Sequence, residues 1–204
     1  MNLNVPFFLV LAGAVMSAVG AYLLQLRSDR AILTAKMELT ESMTGGASFC
    51  YLNITAIDKN NKSGKWVVVH QGEYPLYDVQ ISVVDLDEFR QIKNITFENL
   101  VTTRDIISIG NISPSLAVML GSQVNIAGRN ELKFNIFITA RNGFAMQTLR
   151  MKFVDGKWHR ATKVIKHEDG KDKVMFEKID ENYPRDQHGN VDWGAKAKKT
   201  KVKF

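Results

Sequence analysis

Carboxylate side chains are the first candidates for chemistry in this 204-residue chain. Asp85, Asp87 and Glu88 follow a β-branched run and offer the hard oxygen ligands that calcium prefers. They lack the alternating Asp/Asn pattern and the glycine of a calcium-binding loop, and acids at the end of a strand are usually a solvated turn. We therefore predict no metal site and no cofactor here.

Histidine and cysteine are the other candidates. His159 and His167 lie eight residues apart, which is not a recognised metal-ligand spacing. The lone cysteine, Cys50, has no histidine near it in sequence, which favours a buried inert thiol over a nucleophile. The sequence contains no glycine-rich phosphate loop, Gly-x-Ser-x-Gly elbow or His-Glu-x-x-His helix. We predict that the protein is not an enzyme, and that Trp66 and Trp158 pack in a core.

The C-terminal 180–204 segment is polar and basic, a composition typical of disorder. Five lysines near its end supply most of the formal net charge of +6: Lys196, Lys198, Lys199, Lys201 and Lys203. Such residues contribute about 1 kcal/mol each to binding anionic headgroups, and Trp193 and Phe204 would add aromatic contacts. The predicted contact is a membrane surface or an acidic partner, and the alternative is a solvated tail. Without a folded reading element, specific nucleic-acid binding is not expected.

The N-terminal 26 residues carry no charged side chain, and the stretch from Val5 to Leu26 is almost unbroken apolar sequence. About 20 such residues at 1.5 Å each cross a ~30 Å hydrocarbon layer. We therefore predict a single-pass membrane helix over 1–26, with membrane lipid as its partner. A cleaved signal peptide and a buried soluble helix are the alternatives, although no Lys or Arg precedes the apolar run as in a signal peptide.

Residues 27–46 predict a helical stalk that ends at Gly45-Gly46. Apolar residues recur in it at three- and four-residue steps, as in Ala31, Ala35 and Leu39. The stalk is either a short coiled coil that makes a homo-oligomer through helix and stalk, or a spacer. Arg27 and Arg30 favour a cytoplasmic C-terminal part, but long domains translocate regardless of such charges, so the side of the membrane stays open.

From Ser48 onward the hydrophobic period changes to two, which predicts β-strands. The predicted strands are 49–57, 65–71, 76–84, 132–140, 144–154, 157–166 and 174–178, with an Asn142-Gly143 hairpin turn. In the third strand, one face is expected to carry Tyr77, Val79, Ile81 and Val83. A helical turn is expected only near 115–120. The predicted fold class is all-β, an antiparallel sandwich or barrel over residues 47–179.

Two motifs carry a family resemblance. Tyr74-Pro75-Leu76-Tyr77-Asp78 precedes a long strand, and Ile112-Ser113-Pro114-Ser115 follows later. They resemble the aromatic-x-Leu-Tyr-Asp and Leu-x-Pro-Gly elements of immunoglobulin-like modules in bacterial envelope proteins, the FxLYD and cell-adhesion-related domains. The chain, including the 44–51 segment, is also similar to uncharacterised membrane-anchored bacterial proteins. These resemblances imply an immunoglobulin-like sandwich that binds or spaces rather than catalyses.

The functional prediction is a membrane-anchored, non-enzymatic module of the bacterial envelope for protein interaction or scaffolding, with a protein partner that the sequence does not identify. The alternative is a structural subunit of a larger membrane assembly, in which the apolar helix packs against partner helices.

Overall fold

The protein consists of one long N-terminal helix followed by a β-domain of two antiparallel sheets. The computed structural model describes residues 4–58, 63–92, 96, 104–126, 128–168 and 170–194. Helix α1 (Asn4–Thr44) runs without interruption through the predicted membrane segment and the predicted stalk. It ends at Gly45, whose φ of +103° lies in a region that side chains with a Cβ rarely adopt.

Nine strands and one short helix follow α1 in the described residues. They are β1 (Phe49–Asp58), β2 (Ser63–Gln71), β3 (Leu76–Asp85), α2 (Leu86–Arg90), β4 (Arg104–Ile112), β5 (Ala117–Asn125), β6 (Glu131–Ala140), β7 (Gly143–Val154), β8 (Lys157–Glu168) and β9 (Lys171–Ile179). One sheet has the order β1-β2-β5, and the other has the order β4-β3-β6-β7-β8-β9. All seven predicted strands are present, and the β-rich class is confirmed.

The core lies between the sheets, where alternate residues of facing strands are removed from water. Trp66 of the smaller sheet packs edge-to-face on Phe134 of the larger one, with ring centroids 5.1 Å apart. A buried amide also joins the sheets: Gln147 Oε1 accepts from Leu52 N at 2.7 Å, and Gln147 Nε2 donates to Leu52 O at 2.6 Å. Gln147 thus satisfies the backbone of edge strand β1 in the way that a neighbouring strand would.

The start of β3 differs from the predicted alternation. Val79, Ile81 and Val83 face the core as expected, but the fourth core residue is Leu76 and not Tyr77. Asp78 has a φ of +56°, and the pairing of β3 with β4 slips between Leu76 and Val79. A bulge therefore inserts one residue into the strand and reverses which side chains face inward before it.

One prediction for the middle of the chain was wrong, and the three elements α2, β4 and β5 were not predicted. The helical turn expected near 115–120 is a turn at Pro114-Ser115 followed directly by β5. The pattern of β5 is ambiguous because exposed Met119 and Gly121 interrupt its apolar residues, and because its register with β2 shifts opposite Trp66.

The expectation of disorder from residue 180 does not hold for 180–194. This segment lies on the larger sheet, with Tyr183 3% and Val191 9% exposed against Ala161. Buried Arg150 donates from Nη2 to the carbonyl of Trp193 at 2.7 Å, and burial lowers its pKa. The polar composition of the segment gave no indication of this packing, because a few separate side chains hold the segment on the sheet and no apolar periodicity marks them.

Candidate functional site: the exposed helix, its junction and a distal cavity

Helix α1 is long and apolar enough to span a membrane. From Phe7 to Thr40 its side chains are exposed, with half-buried Gly20 as the exception. Large apolar side chains are also exposed beyond residue 26, including Ile32, Leu39 and Met43 at 51%, 61% and 60%. Exposed apolar side chains of this size in adjacent helical turns are unusual for a protein surface in water.

One face of the helix carries no charge from the predicted membrane segment to the domain. At three- and four-residue steps it presents Gly13, Ser17, Ala21, Leu24, Ser28, Ile32, Ala35 and Leu39. The charged residues of the stalk lie on its other faces. We call this the uncharged face. Its small residues allow close helix approach, and its larger ones offer apolar contact.

The C-terminal end of α1 is hydrogen-bonded to the β-domain at what we call the junction. Asn142 Nδ2 donates to the carbonyl oxygens of Gly46 at 2.9 Å and Ser48 at 2.7 Å. Arg141 Nη1 donates to the carbonyl of Met43 at 3.1 Å. The same guanidinium bonds Asp78 Oδ2 through Nε and Nη2, at 3.1 and 2.9 Å. The β6–β7 turn therefore bonds one carbonyl in the last turn of the helix, that of Met43, and two carbonyls of the segment that follows it.

Close packing completes the junction. A Cβ on Gly46 would lie 2.9 Å from the Tyr74 ring, and a Cβ on Gly72 would lie 2.4 Å from Ser48 Oγ. Tyr74 N donates to Ser48 Oγ at 3.0 Å. A side-chain hydrogen bond to Glu41 raises the pKa of the Tyr74 hydroxyl, with smaller contributions from desolvation and nearby carboxylates. The Tyr74–Asp78 motif thus connects the helix to the sheet.

A cavity of about 180 Å³ lies at the opposite end of β3, and we call it the distal cavity. Its walls come from both sheets and from α2, and its lining includes Trp66, Asp85, Glu88, Asp105, Gln123, Asn125, Arg129 and Phe134. Since β3 starts beside Gly45 and ends at Asp85, and a strand rises ~3.3 Å per residue, the cavity lies about 30 Å from the junction.

The charged side chains around the distal cavity differ in whether they form ion pairs. Arg129 Nη1 donates to Asp85 Oδ2 at 2.6 Å, and the guanidinium also bonds the carbonyls of Asn125 and Ile126. The Arg129 guanidinium therefore already has three hydrogen-bond acceptors within the protein. Glu88 and Asp105 have no ion-pair partner among the described residues.

Among the described residues, His167 and Cys50 do not line this cavity. The lysines at 196, 198, 199, 201 and 203 lie outside the described residues. His167 pairs with Asp172 at 2.9 Å on an exposed hairpin. Cys50 is 1% exposed, and burial raises the pKa of its thiol to about 12, so it is an inert core residue.

The predicted acidic group divides between two roles. Asp85 caps α2 by accepting from Asp87 N at 2.9 Å, and Asp87 lies 3.8 Å from Arg90. Only Asp85 and Glu88 line the cavity, where Asp105 of β4 joins them. In the described part of the chain, no group of three or more His, Cys, Asp or Glu side chains is arranged to hold a metal ion.

Sequence reasoning missed Arg141 and Asn142 as junction residues and Asp105 as a cavity residue. Asn142-Gly143 indicated a hairpin turn, and nothing nearby indicated a contact with Gly46, ninety-six residues away. A search of family models, of curated proteins and of solved structures finds no match to this chain.

Proposed function

We propose that the protein is a membrane-anchored, non-enzymatic interaction or scaffolding module of the bacterial envelope, single-pass and attached through α1. The observation that carries the proposal is an exposed apolar helix that continues into the β-domain through a hydrogen-bonded junction. Such a connection transmits the position of the helix to the domain, as a scaffold requires.

The stalk sets the distance of the domain from the lipid. Residues 27–44 are helical, and at 1.5 Å per residue they extend about 27 Å beyond the predicted membrane segment. The distal cavity lies at the opposite end of β3 from the junction with the stalk. We also propose that the domain is an immunoglobulin-like sandwich, which two facing antiparallel sheets and the bulge at Asp78 near the start of β3 support.

Protease treatment of intact spheroplasts tests the anchoring. We expect the full chain in the membrane pellet after carbonate washing, and a protease-trimmed fragment that still begins at residue 1 by mass spectrometry if the domain faces outward. Protection until lysis would place the domain in the cytoplasm. A mature chain that begins near Tyr22 and is recovered in the soluble fraction would refute the anchor.

A second function is a structural subunit whose helix packs on partner helices or on a second copy. The uncharged face supports it, because Ile32 and Leu39 lie exposed on that face beyond the predicted membrane segment. The test is the mass of the complex extracted in mild detergent, by light scattering. Ile32→Lys with Leu39→Lys should reduce that mass, whereas the control Leu33→Lys with Met37→Lys, on another side of the helix, should not. A monomeric wild type would exclude this function.

A further inference from the structure

The outer face of the larger sheet carries a row of side chains that crosses all six strands and is almost entirely apolar. Direct pairing between neighbouring strands places its members at one level, in the strand order β4-β3-β6-β7-β8-β9: Ile106, Ser82, Phe137, Met146, Ile165 and Val174. We call it the outer row. The face of an antiparallel sheet that does not cover the core is normally polar, and five apolar residues out of six depart from that rule.

Both ends of the outer row are open to solvent. Ile106 is 58% exposed and Val174 is 53% exposed. The 180–194 segment packs on the same face of the sheet at Lys163 and Ala161, which lie one and two rows nearer the distal cavity. A continuous exposed apolar surface of this kind is typical of an interaction site.

The outer row has one small residue, Ser82. It lines a groove of about 460 Å³ together with Ile106, Phe137 and Phe144. The ring of Phe144 stacks on that of Phe137, with centroids 6.2 Å apart, and widens the apolar surface toward the junction. A surface that covers the outer row therefore needs a large apolar side chain opposite Ser82.

A second copy of the chain supplies that side chain. Consider two copies that meet through their outer faces, about 10 Å apart, around a two-fold axis parallel to the strands and through the middle of the sheet. The rotation reverses the strand order, so β4 faces β9, β3 faces β8 and β6 faces β7 of the other copy. The facing residues are then Ile106 with Val174, Ser82 with Ile165, and Phe137 with Met146. The small residue thus meets a branched one, and an aromatic ring meets a thioether.

The charges agree with the same arrangement. The outer row itself has no charged side chain, so two rows can meet without burying a charge. Arg104 and Glu177 stand at the two ends of the adjacent row, on the outermost strands, about 24 Å apart at ~4.8 Å per strand. The rotation places Arg104 of each copy opposite Glu177 of the other, whose in-chain partner is Lys163 at 2.8 Å.

The area of the surface limits the strength of the contact. A surface about 24 Å long and two rows wide covers about 340 Å² on each copy, below the ~800 Å² per partner of a standard interface. The contact is therefore weak between free molecules. Attachment of both copies to one membrane raises their effective concentration and holds both rows at the same level.

We propose that the outer row is a self-association surface, through which two copies anchored in one membrane pack sheet against sheet about a two-fold axis. The inference rests on the proposed anchoring. It differs from association through α1, because the contact lies in the β-domain.

Energy transfer between copies of the full chain in lipid vesicles tests this. Lys157→Cys carries the donor or the acceptor dye on an exposed turn, and buried Cys50 stays unlabelled. We expect transfer that falls as lipid is added at constant protein, because dilution within the membrane separates a weak dimer. Flotation of the vesicles reports membrane attachment independently of the transfer.

The variant Ile106→Lys with Val174→Lys places like charges opposite each other in the two-fold contact. It should need at least about tenfold more protein per lipid for the same transfer, because repulsion replaces apolar contact. The control, Leu116→Lys with Met119→Lys, makes the same change at exposed positions at the start of β5 in the smaller sheet and should behave as the wild type. An unchanged melting temperature confirms that both variants fold.

A mixed sample tests whether the two rows face each other. Ile106→Asp with Val174→Asp should not associate alone, but it should associate with the lysine variant, because each lysine then faces an aspartate of the other chain. Absence of transfer in this mixture would overturn the two-fold arrangement.

Other results would also overturn the proposal: no transfer by the wild type in floating vesicles, equal transfer by the wild type and the lysine variant, or equal loss in the control. Loss of transfer in Ile32→Lys with Leu39→Lys but not in the outer-row variant would assign association to the helix instead. A wild type that does not float would refute the anchor and this dimer together, whereas floating without transfer would refute the dimer alone.

Discussion

At the junction, Asn142 and Arg141 donate to three carbonyls at and just after the end of the helix, whereas at the other end of β3 the carboxylates of Glu88 and Asp105 have no ion-pair partner in the described part of the chain. Both ends are rich in polar groups. They differ in whether the chain itself pairs those groups: Asn142 and Arg141 bond the carbonyls of the junction, and the two carboxylates have no such partner among the described residues.

The difference predicts opposite responses to substitution. Changes at the junction should lower stability or loosen the helix. Changes to Glu88 and Asp105 should leave stability nearly intact, because neither loses an ion-pair partner among the described residues.

Gly72→Ala should have the largest effect, because the new Cβ would lie 2.4 Å from Ser48 Oγ at a φ of +118°. Strain and overpacking together are expected to reduce the free energy of unfolding by about 3 kcal/mol. Urea denaturation of the full chain in detergent measures it. Gly128→Ala is the matched control, since its φ is +74° with nothing within 4 Å, and it should lose only about 1 kcal/mol.

Asn142→Ala removes two hydrogen bonds to the end of the helix and should cost about 1–2 kcal/mol of unfolding free energy. It should also broaden the distance distribution between spin labels on Thr34 and Lys157, measured by pulsed electron paramagnetic resonance. Buried Cys50 stays unlabelled in the folded protein. A distribution as narrow as that of the wild type would mean that the junction is rigid without Asn142.

Alkaline pH should lower the free energy of unfolding through the buried thiol of Cys50. Burial raises the pKa of the Cys50 thiol from 9.0 to about 12, so the folded state holds that proton more tightly than the unfolded state. The stabilisation is complete below pH 9 and is lost as pH rises toward 12. The loss contributed by this thiol is at most about 1.4 kcal/mol per pH unit.

Urea denaturation at pH 8 and pH 10 checks this, with Cys50→Ala as the comparison. The pH dependence of the variant should be shallower than that of the wild type. Identical slopes in both proteins would assign the alkaline sensitivity to other groups. Tyr183, whose pKa burial raises to about 12, is the first of those, and Tyr183→Phe tests it.

Glu88→Gln with Asp105→Asn should change the free energy of unfolding by less than about 0.5 kcal/mol, because neither carboxylate has a partner to lose among the described residues. Thermal unfolding in detergent measures it. Asp85→Asn is the contrast, since it breaks the 2.6 Å pair with part-buried Arg129 and should destabilise by more. Equal losses in both variants would remove the distinction between the two ends.

Regular elements of this fold follow from local sequence pattern. The alternation in 132–154 and the Asn142-Gly143 turn predict the β6–β7 hairpin, which the structure confirms. Where the pattern is broken by a local conformation, prediction fails. Because Asp78 has a positive φ, Leu76 and not the predicted Tyr77 faces the core. Strand β5 was not predicted because its register with β2 is irregular.

The long apolar helix, its end at Gly45-Gly46 and seven of the nine strands follow from local sequence, because each depends on residues only a few positions apart. Which polar groups meet depends on how the sheets pack. Asn142 reaches Gly46 and Gln147 reaches Leu52 across more than ninety residues, and Trp66, Glu88 and Asp105 share a cavity only after two sheets pack. Contacts of that sequence separation depend on strand order and register, and no local periodicity encodes them.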